Sequence, residues 1–378
     1  MDQRLSDAQC LKFELLADGL NITAAAAAAL QASTQGRPLT PADYASTSGL
    51  ILLLDGDVWV NAPIVAHNPN FVVESPHVLD HDPEGFSIRG PGLASRAQYW
   101  IPPQYHGGPA SDGRPLNHLV VTHGDRVRLS PTIGCAMVCR FCNVPYDDVY
   151  HGLKPVELMV QAVKIALADD LQPARHVLIS GGTPGPPHVA ALAAAYEHLL
   201  ESLPGIEIDI MMVPVPGLFD LERLDRLGVH ELSVNLEIFN ESIAQELMPH
   251  KHRQGRDFYL DFLEQGAETL GQGRVRSMLM VGLEPLEDTL AGVREIARRG
   301  CVPVLSPFRP DPATPLRSWR PPEGSFLKEV YLRARDAASE FGMGLGPSCA
   351  PCTHNTLTFA DPVPLTATGG PALASGAA

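Results

Sequence analysis

The chain has 378 residues, and its 28 Lys and Arg against 43 Asp and Glu give a formal net charge of −15. That length calls for one large domain with additions, or two domains, and the acidic balance argues against nucleic acid or an anionic membrane as a bulk partner. Seven cysteines without framework spacing argue against a disulfide scaffold. The longest aliphatic run, Leu50 to Leu54, falls far short of a membrane span. Met1-Asp2-Gln3-Arg4 has no basic segment followed by an apolar core, so a soluble, cytoplasmic protein with reduced thiols is expected.

Residues 5–32 read as helical: Ser6 or Asp7 can cap the start, and Ala24 to Ala29 has high helix propensity. From Gly49 the character changes. Leu50–Leu54, Val58–Val60 and Phe71–Val73 read as short strands, and the Gly- and Pro-rich stretch from Gly85 to Pro115 reads as loop. Residues 1–125 are thus expected to form an α+β extension. Its histidines read as surface and loop residues; His77 and His81 have i, i+4 spacing, but Pro76 and weak helix propensity argue against a metal site.

From Arg126 a regular alternation begins. Val127–Ile133 is a β-run leading into Cys135-Ala136-Met137-Val138-Cys139-Arg140-Phe141-Cys142. Three cysteines in eight residues, spaced C-x3-C-x2-C, form a metal or cluster ligand set. Three thiolates on a [4Fe–4S] cluster leave one iron open for a small molecule. A zinc site is the competing reading, but it normally wants a fourth Cys or His close by. Strands at 176–180, 206–213, 231–239, 275–283 and 302–308 then alternate with helices at 155–169, 188–203, 218–227, 242–270, 286–299 and 323–341. Six such units over 126–345 imply parallel strands with right-handed crossovers, fewer than an eight-unit barrel needs. The fold expected is α/β, a partial (β/α)6 TIM-type barrel.

Functional groups in such barrels gather at the C-terminal ends of the strands. Gly181-Gly182-Thr183-Pro184 ends the second strand. Alternation puts Ser233, Asn235 and Glu237 on one face of the fourth strand, and inward polar groups need partners. The fifth strand runs Met278-Leu279-Met280-Val281-Gly282-Leu283-Glu284, and the sixth ends Ser306-Pro307-Phe308-Arg309-Pro310.

The cysteine spacing, with Phe141 just before the last cysteine and the loop directly after the first strand, resembles the cluster loop of the radical SAM superfamily. The resemblance covers roughly residues 126–345, and the wording from Val281 to Glu284 and from Pro307 to Pro310 resembles its biotin-synthase-like branch. It implies that Cys135, Cys139 and Cys142 hold [4Fe–4S] and that Gly181, Gly182 and Thr183 meet the amino group of S-adenosylmethionine (SAM). Thr183 stands where the family often has an acid. It further implies that Asn235 or Glu237 meets the ribose and carboxylate, that Met280 and Phe308 lie by the adenine, and that Arg309 anchors a substrate anion. The implied reaction is reductive cleavage of SAM to a 5′-deoxyadenosyl radical that abstracts hydrogen from a small-molecule substrate. The electron would come from a flavodoxin or ferredoxin. A non-catalytic iron–sulfur or zinc protein, serving as electron carrier or assembly scaffold, is the alternative; the strand-end polar groups argue against it.

Cys10 and Cys301 read as core residues. Cys349-Ala350-Pro351-Cys352, in the segment 346–360, is a ligand or redox pair. A second, auxiliary iron–sulfur cluster is expected there ahead of structural zinc, and an unligated pair or redox dithiol is the third reading. The sequence leaves open whether this segment returns to the barrel mouth. The tail, 361–378, has the composition of a disordered segment.

Overall fold

The computed structural model describes residues 5–45, 49–359 and 373–374. Ser6 opens helix α1 (Asp7–Asp18) with a capping box: its hydroxyl accepts from the Gln9 N–H, and its own N–H donates to the Gln9 side chain. The helical stretch expected at 5–32 is broken at Gly19, whose φ of +67° ends α1. Thr23 then caps α2 (Ala24–Ser33).

An antiparallel sheet follows, built from β1 (Gly49–Leu54), β2 (Val58–Pro63), β3 (Val78–Asp82), β4 (Gly85–Gly90) and β5 (Leu93–Trp100), in the order β3-β4-β5-β1-β2. Two expectations are corrected here. Residues 72–74 form a 3-10 turn and not a strand, and the stretch read as loop from Gly85 contains the β4–β5 hairpin. Phe86 and Ile88 are fully buried and alternate with more exposed Ser87 and Arg89, so the glycines and proline of 90–92 mark only the turn. Of the tail expected to be disordered, Leu373–Ala374 pair antiparallel with Trp100 and Tyr99; the rest lies outside the described residues.

The second sheet is the barrel. Its strands are β6 (Val120–His123), β7 (Arg126–Leu129), β8 (His176–Ser180), β9 (Ile208–Met211), β10 (Glu231–Ser233), β11 (Val275–Val281) and β12 (Val302–Pro307), neighbours in that order. From β7 to β12 the strands are parallel; β6 is an added antiparallel edge strand, to which the sequence reading gave no element. The covering helices are α3 (Val156–Leu167), α4 (Val189–Ser202), α5 (Leu221–Arg226), α6 (Glu241–Leu247), α7 (Pro249–Gln254), α8 (Arg256–Leu270), α9 (Leu286–Ala297) and α10 (Gly324–Ser339). This is the partial six-unit barrel expected, with its open side between β12 and β6.

The alternation sorts the side chains. Val127, Leu129, Val177, Ile179, Ile208 and Ile210 are buried against the helices. The intervening positions face the lumen and are largely polar: Arg126, Arg128, His176, Ser180, Asp209 and Arg276. Arg276 ties the floor together, with Nη2 2.7 Å from Asp209 Oδ2 and Nη1 2.7 Å from Glu231 Oε2. After α10 the chain runs along the free edge of β12, where Gly346 N–H donates to Pro303 O and Leu357 N–H to Leu305 O, both at 2.9 Å. The amino-terminal extension closes over this side. Lys12 Nζ, fully buried, donates to Thr353 O (2.9 Å) and Thr358 O (2.6 Å), and Arg309 Nη1 donates to Asn61 O (3.1 Å). Among the described residues no helix is long and apolar enough to cross a membrane.

Candidate active site

The cysteine loop is held from both sides. Gly182 lies against it so closely that a Cβ there would meet Gly134 O at 2.0 Å and Cys135 Cβ at 2.8 Å. Ala136 N–H donates to Thr183 O (2.9 Å), and Cys135 Sγ accepts from Thr183 N–H (3.2 Å) and Met137 N–H (3.4 Å). Opposite, Arg140 N–H donates to Leu247 O at the end of α6 (2.8 Å). Cys139 and Phe141 pack with Phe308, Ile238 and Leu283 in a small apolar cluster.

This arrangement fits an iron–sulfur cluster. Three cysteines on one loop match a cluster, which takes each thiolate on its own iron. Two backbone N–H groups point at the Cys135 sulfur, a partner for a thiolate. Burial pushes the Cys142 thiol up to about 11 and the Cys139 thiol higher, so the thiolate forms need a bound cation.

The strand ends differ from the regular alternation expected. β10 stops at Ser233, and the chain bulges. Asn235 Oδ1 takes up the ladder, accepting from Met278 N–H (3.2 Å) and from Ser233 Oγ (2.9 Å). Glu237 has φ +66°, a left-handed conformation rare for a non-glycine residue, and its backbone rejoins β11 through Met278 O (2.8 Å) and Met280 N–H (2.7 Å). Its carboxylate lies 2.7 Å from Lys251 Nζ. Burial works against the Lys251 ammonium, but the Glu237 carboxylate overrides it and holds the group above its ordinary value. Sequence reasoning missed Lys251, since a lysine in a short helix after a proline reads as a surface residue. Glu284 is engaged structurally: its Oε2 accepts from Phe239 N–H and Asn240 N–H, both at 2.8 Å, at the start of α6.

Below the cysteine loop a cavity of about 450 Å³ descends the lumen. Asn143, Ser180, Met280 and Ser306 line its upper part, with Arg309; Arg128 and Arg126 lie deeper on β7, and His354 of the carboxy-terminal segment lies among the deeper wall residues. Phe308 is buried in the apolar cluster and also touches this wall. Arg128 is open to the cavity, and neither it nor Arg126 makes an ion pair within 4 Å among the described residues. Three arginines therefore face a cavity whose lining contains one carboxylate, Asp311.

Residues 129–288 match the sequence profile of the Radical SAM superfamily, a span that opens on the strand before the cysteine loop and closes beyond Glu284. Over this span the chain is similar to the radical SAM superfamily. It is 22% identical over 264 residues to a bacteriochlorophyllide c C-7(1)-hydroxylase of Chlorobaculum limnaeum, covering 61% of this chain and 64% of that protein. It is 29% identical over 147 residues to a probable dual-specificity RNA methyltransferase RlmN of Synechococcus, covering 36% of this chain and 42% of that one. The chain thus spans less than two thirds of either relative. A radical SAM methyltransferase from Sphaerobacter thermophilus superposes with a TM-score of 0.46 at 17% identity, over 72% of this chain and 76% of that one. These matches do not single out a branch of the superfamily.

The contact under the loop gives a first test. Gly182→Ala is expected to displace the Cys135 backbone and lower the iron bound after reconstitution by half or more, with the circular dichroism of the barrel retained. Iron analysis on the purified variant checks this; a full complement of iron would show that the loop has room to move.

Proposed function

We propose that Cys135, Cys139 and Cys142 hold a [4Fe–4S] cluster, that SAM lies between Gly181-Gly182-Thr183 and the Asn235–Glu237 bulge, and that the substrate is a small molecule whose anionic group seats on Arg128 and Arg126. The observation that carries the substrate class is Arg128, which faces the lumen beneath the cysteine loop with no carboxylate acting on it; Arg126, deeper, has Asp209 and Asp125 nearby. A guanidinium that faces a cavity without an ion pair offers a ligand anion charge-assisted hydrogen bonds. When bound, the cluster and SAM supply the reductive cleavage that yields a hydrogen-abstracting radical; the chain's residues bind, orient and exclude water.

In this reading the Asn235 carbonyl oxygen is occupied by Met278 N–H, which leaves its amide nitrogen to donate to SAM. Glu237, neutralised on one oxygen by Lys251, offers the other. Met280 and Phe308 form the apolar wall for adenine, and Arg309, buried and donating to Asn61 O, lines the cavity beside them. A reduced flavodoxin or ferredoxin supplies the electron. The net charge of −15 and a cavity of about 450 Å³ favour a small molecule over nucleic acid.

The test is anaerobic reconstitution followed by measurement of 5′-deoxyadenosine with SAM, reductant and paired compounds: carboxylates and phosphate esters against their neutral amides and alcohols. Stimulation by the anionic members alone is expected. Equal stimulation by the neutral members, or stimulation by RNA alone, would reject the substrate class; no cleavage of SAM by protein with a full cluster would reject the whole reading. A companion measurement concerns the bulge. Glu237→Ala and Asn235→Ala are each expected to weaken SAM binding about tenfold or more, the size of one hydrogen bond to a charged group, with iron content unchanged. Unchanged SAM affinity in both variants would leave these residues a purely structural role.

A further inference from the structure

The carboxy-terminal cysteines do not reach the barrel mouth. They sit at the opposite end, where the strands begin. Asp125 immediately precedes β7, His176 is the first residue of β8, and Arg126 and His176 are direct neighbours across the two strands. The turn after Pro347 brings Cys349 and Cys352 onto this pair. Asp125 Oδ1 lies 3.3 Å from His176 Nε2. Cys349 Sγ lies 3.2 Å from Asp125 Oδ1 and 3.6 Å from His176 Nε2, and Cys352 Sγ lies 3.8 Å and 3.4 Å from the same two atoms. All four donor atoms fall within 4.8 Å of one another.

Five of the six edges of this tetrad are thus on the page, and they span 3.2–3.8 Å. A tetrahedral ion with zinc's bond lengths needs edges of about 3.3 Å between two nitrogen or oxygen donors and about 3.8 Å between two sulfurs, with mixed edges between. The observed light-atom edge and the mixed edges fall close to those values. Four donors around one point describe a single ion. They do not describe a second iron–sulfur cluster, in which each iron takes its own thiolate and the sulfurs stand apart around the cube.

We infer that Asp125, His176, Cys349 and Cys352 form a closed, four-coordinate zinc site at the floor of the barrel. Two thiolates, one imidazole and one carboxylate fill all four positions, so the site is structural and leaves no place for a substrate. Its ligands come from the residue before β7, the start of β8 and the carboxy-terminal segment, so the ion ties that segment to the strands across the open side. The segment carries His354 and Asn355 into the wall of the cavity, and the tie therefore also fixes the substrate floor. Thiolates on zinc cannot cycle as a redox dithiol, and a Cys349–Cys352 disulfide would remove two of the four ligands. The site is independent of the cluster and of SAM.

Elemental analysis of protein purified anaerobically without added metal decides the matter. About one zinc per chain is expected, present before and after reconstitution of the iron site, with iron not exceeding about four. Cobalt(II) loaded in place of zinc should give the intense visible bands of a tetrahedral thiolate site. Asp125→Asn with His176→Gln, and separately Cys349→Ser with Cys352→Ser, should each cut zinc more than tenfold. Zinc stripped from the wild-type protein by a chelator should lower its Tm, and re-addition should restore it, a reading that does not depend on the variants folding. Wild-type protein with no zinc, zinc retained in either double variant, or iron well above four that falls with the cysteine variant would each overturn the inference.

Discussion

Replacing Cys135, Cys139 and Cys142 together by alanine is expected to abolish SAM cleavage and to remove about four irons per chain, while the barrel keeps its fold. The loss is all-or-none because no other cysteine can substitute: Cys10 and Cys301 lie elsewhere in the fold, and Cys349 and Cys352 belong to the floor. The fold survives because the three side chains sit on a loop. The core between strands and helices rests on Val127, Leu129, Val177, Ile179 and their partners. Only the apolar cluster of Cys139, Phe141 and Phe308 is thinned, at roughly 1 kcal/mol for each small buried group removed. Iron analysis, 5′-deoxyadenosine formation and circular dichroism on one preparation test the three statements together. SAM cleavage at the wild-type rate in the variant would end the assignment.

Arg128→Met is expected to raise KM for an anionic substrate roughly 100-fold or more, since a bidentate contact loses two hydrogen bonds to a charged group, each worth about 1.5–3 kcal/mol. Arg128→Lys keeps the charge but not the planar fork, so it should fall between wild type and Met. Iron content should be unchanged in both, because Arg128 is on the strand and not the cysteine loop. Arg126→Met should behave similarly, with a smaller effect if the substrate does not reach the floor. The readout is the KM for substrate set beside the affinity for SAM, which separates the two anion sites open to this arginine. Loss of SAM affinity with substrate KM unchanged would move Arg128 from the substrate to the SAM carboxylate, and unchanged values throughout would remove both arginines from the site.

The alternation of strands and helices from Arg126 to Gly342 was legible in the sequence because each unit buries one face and repeats its pattern. The errors fell where that pattern is weak. The β4–β5 hairpin was hidden by Gly90-Pro91-Gly92, and β6 by its four residues with Thr122 and His123 among them. The fourth strand was read too long, since alternation alone gives no hint that Asn235 turns its side chain back to the ladder or that Glu237 takes a positive φ.

The cysteine triad was legible in the sequence itself, because the loop is local: three cysteines within eight residues stay close in any compact conformation. The same holds for the six-unit barrel, whose period is written along the chain. The tertiary structure decided everything that joins distant segments. Asp125 and His176 meet Cys349 across 224 and 173 residues, and no spacing in the chain announces such a tetrad. Lys251 reaches Glu237 from a separate helix. Arg126 and Arg128 read in sequence as ordinary charged residues of an alternating strand, and became a lumen-facing pair once curvature of the sheet turned their face inward and sealed the other against the helices.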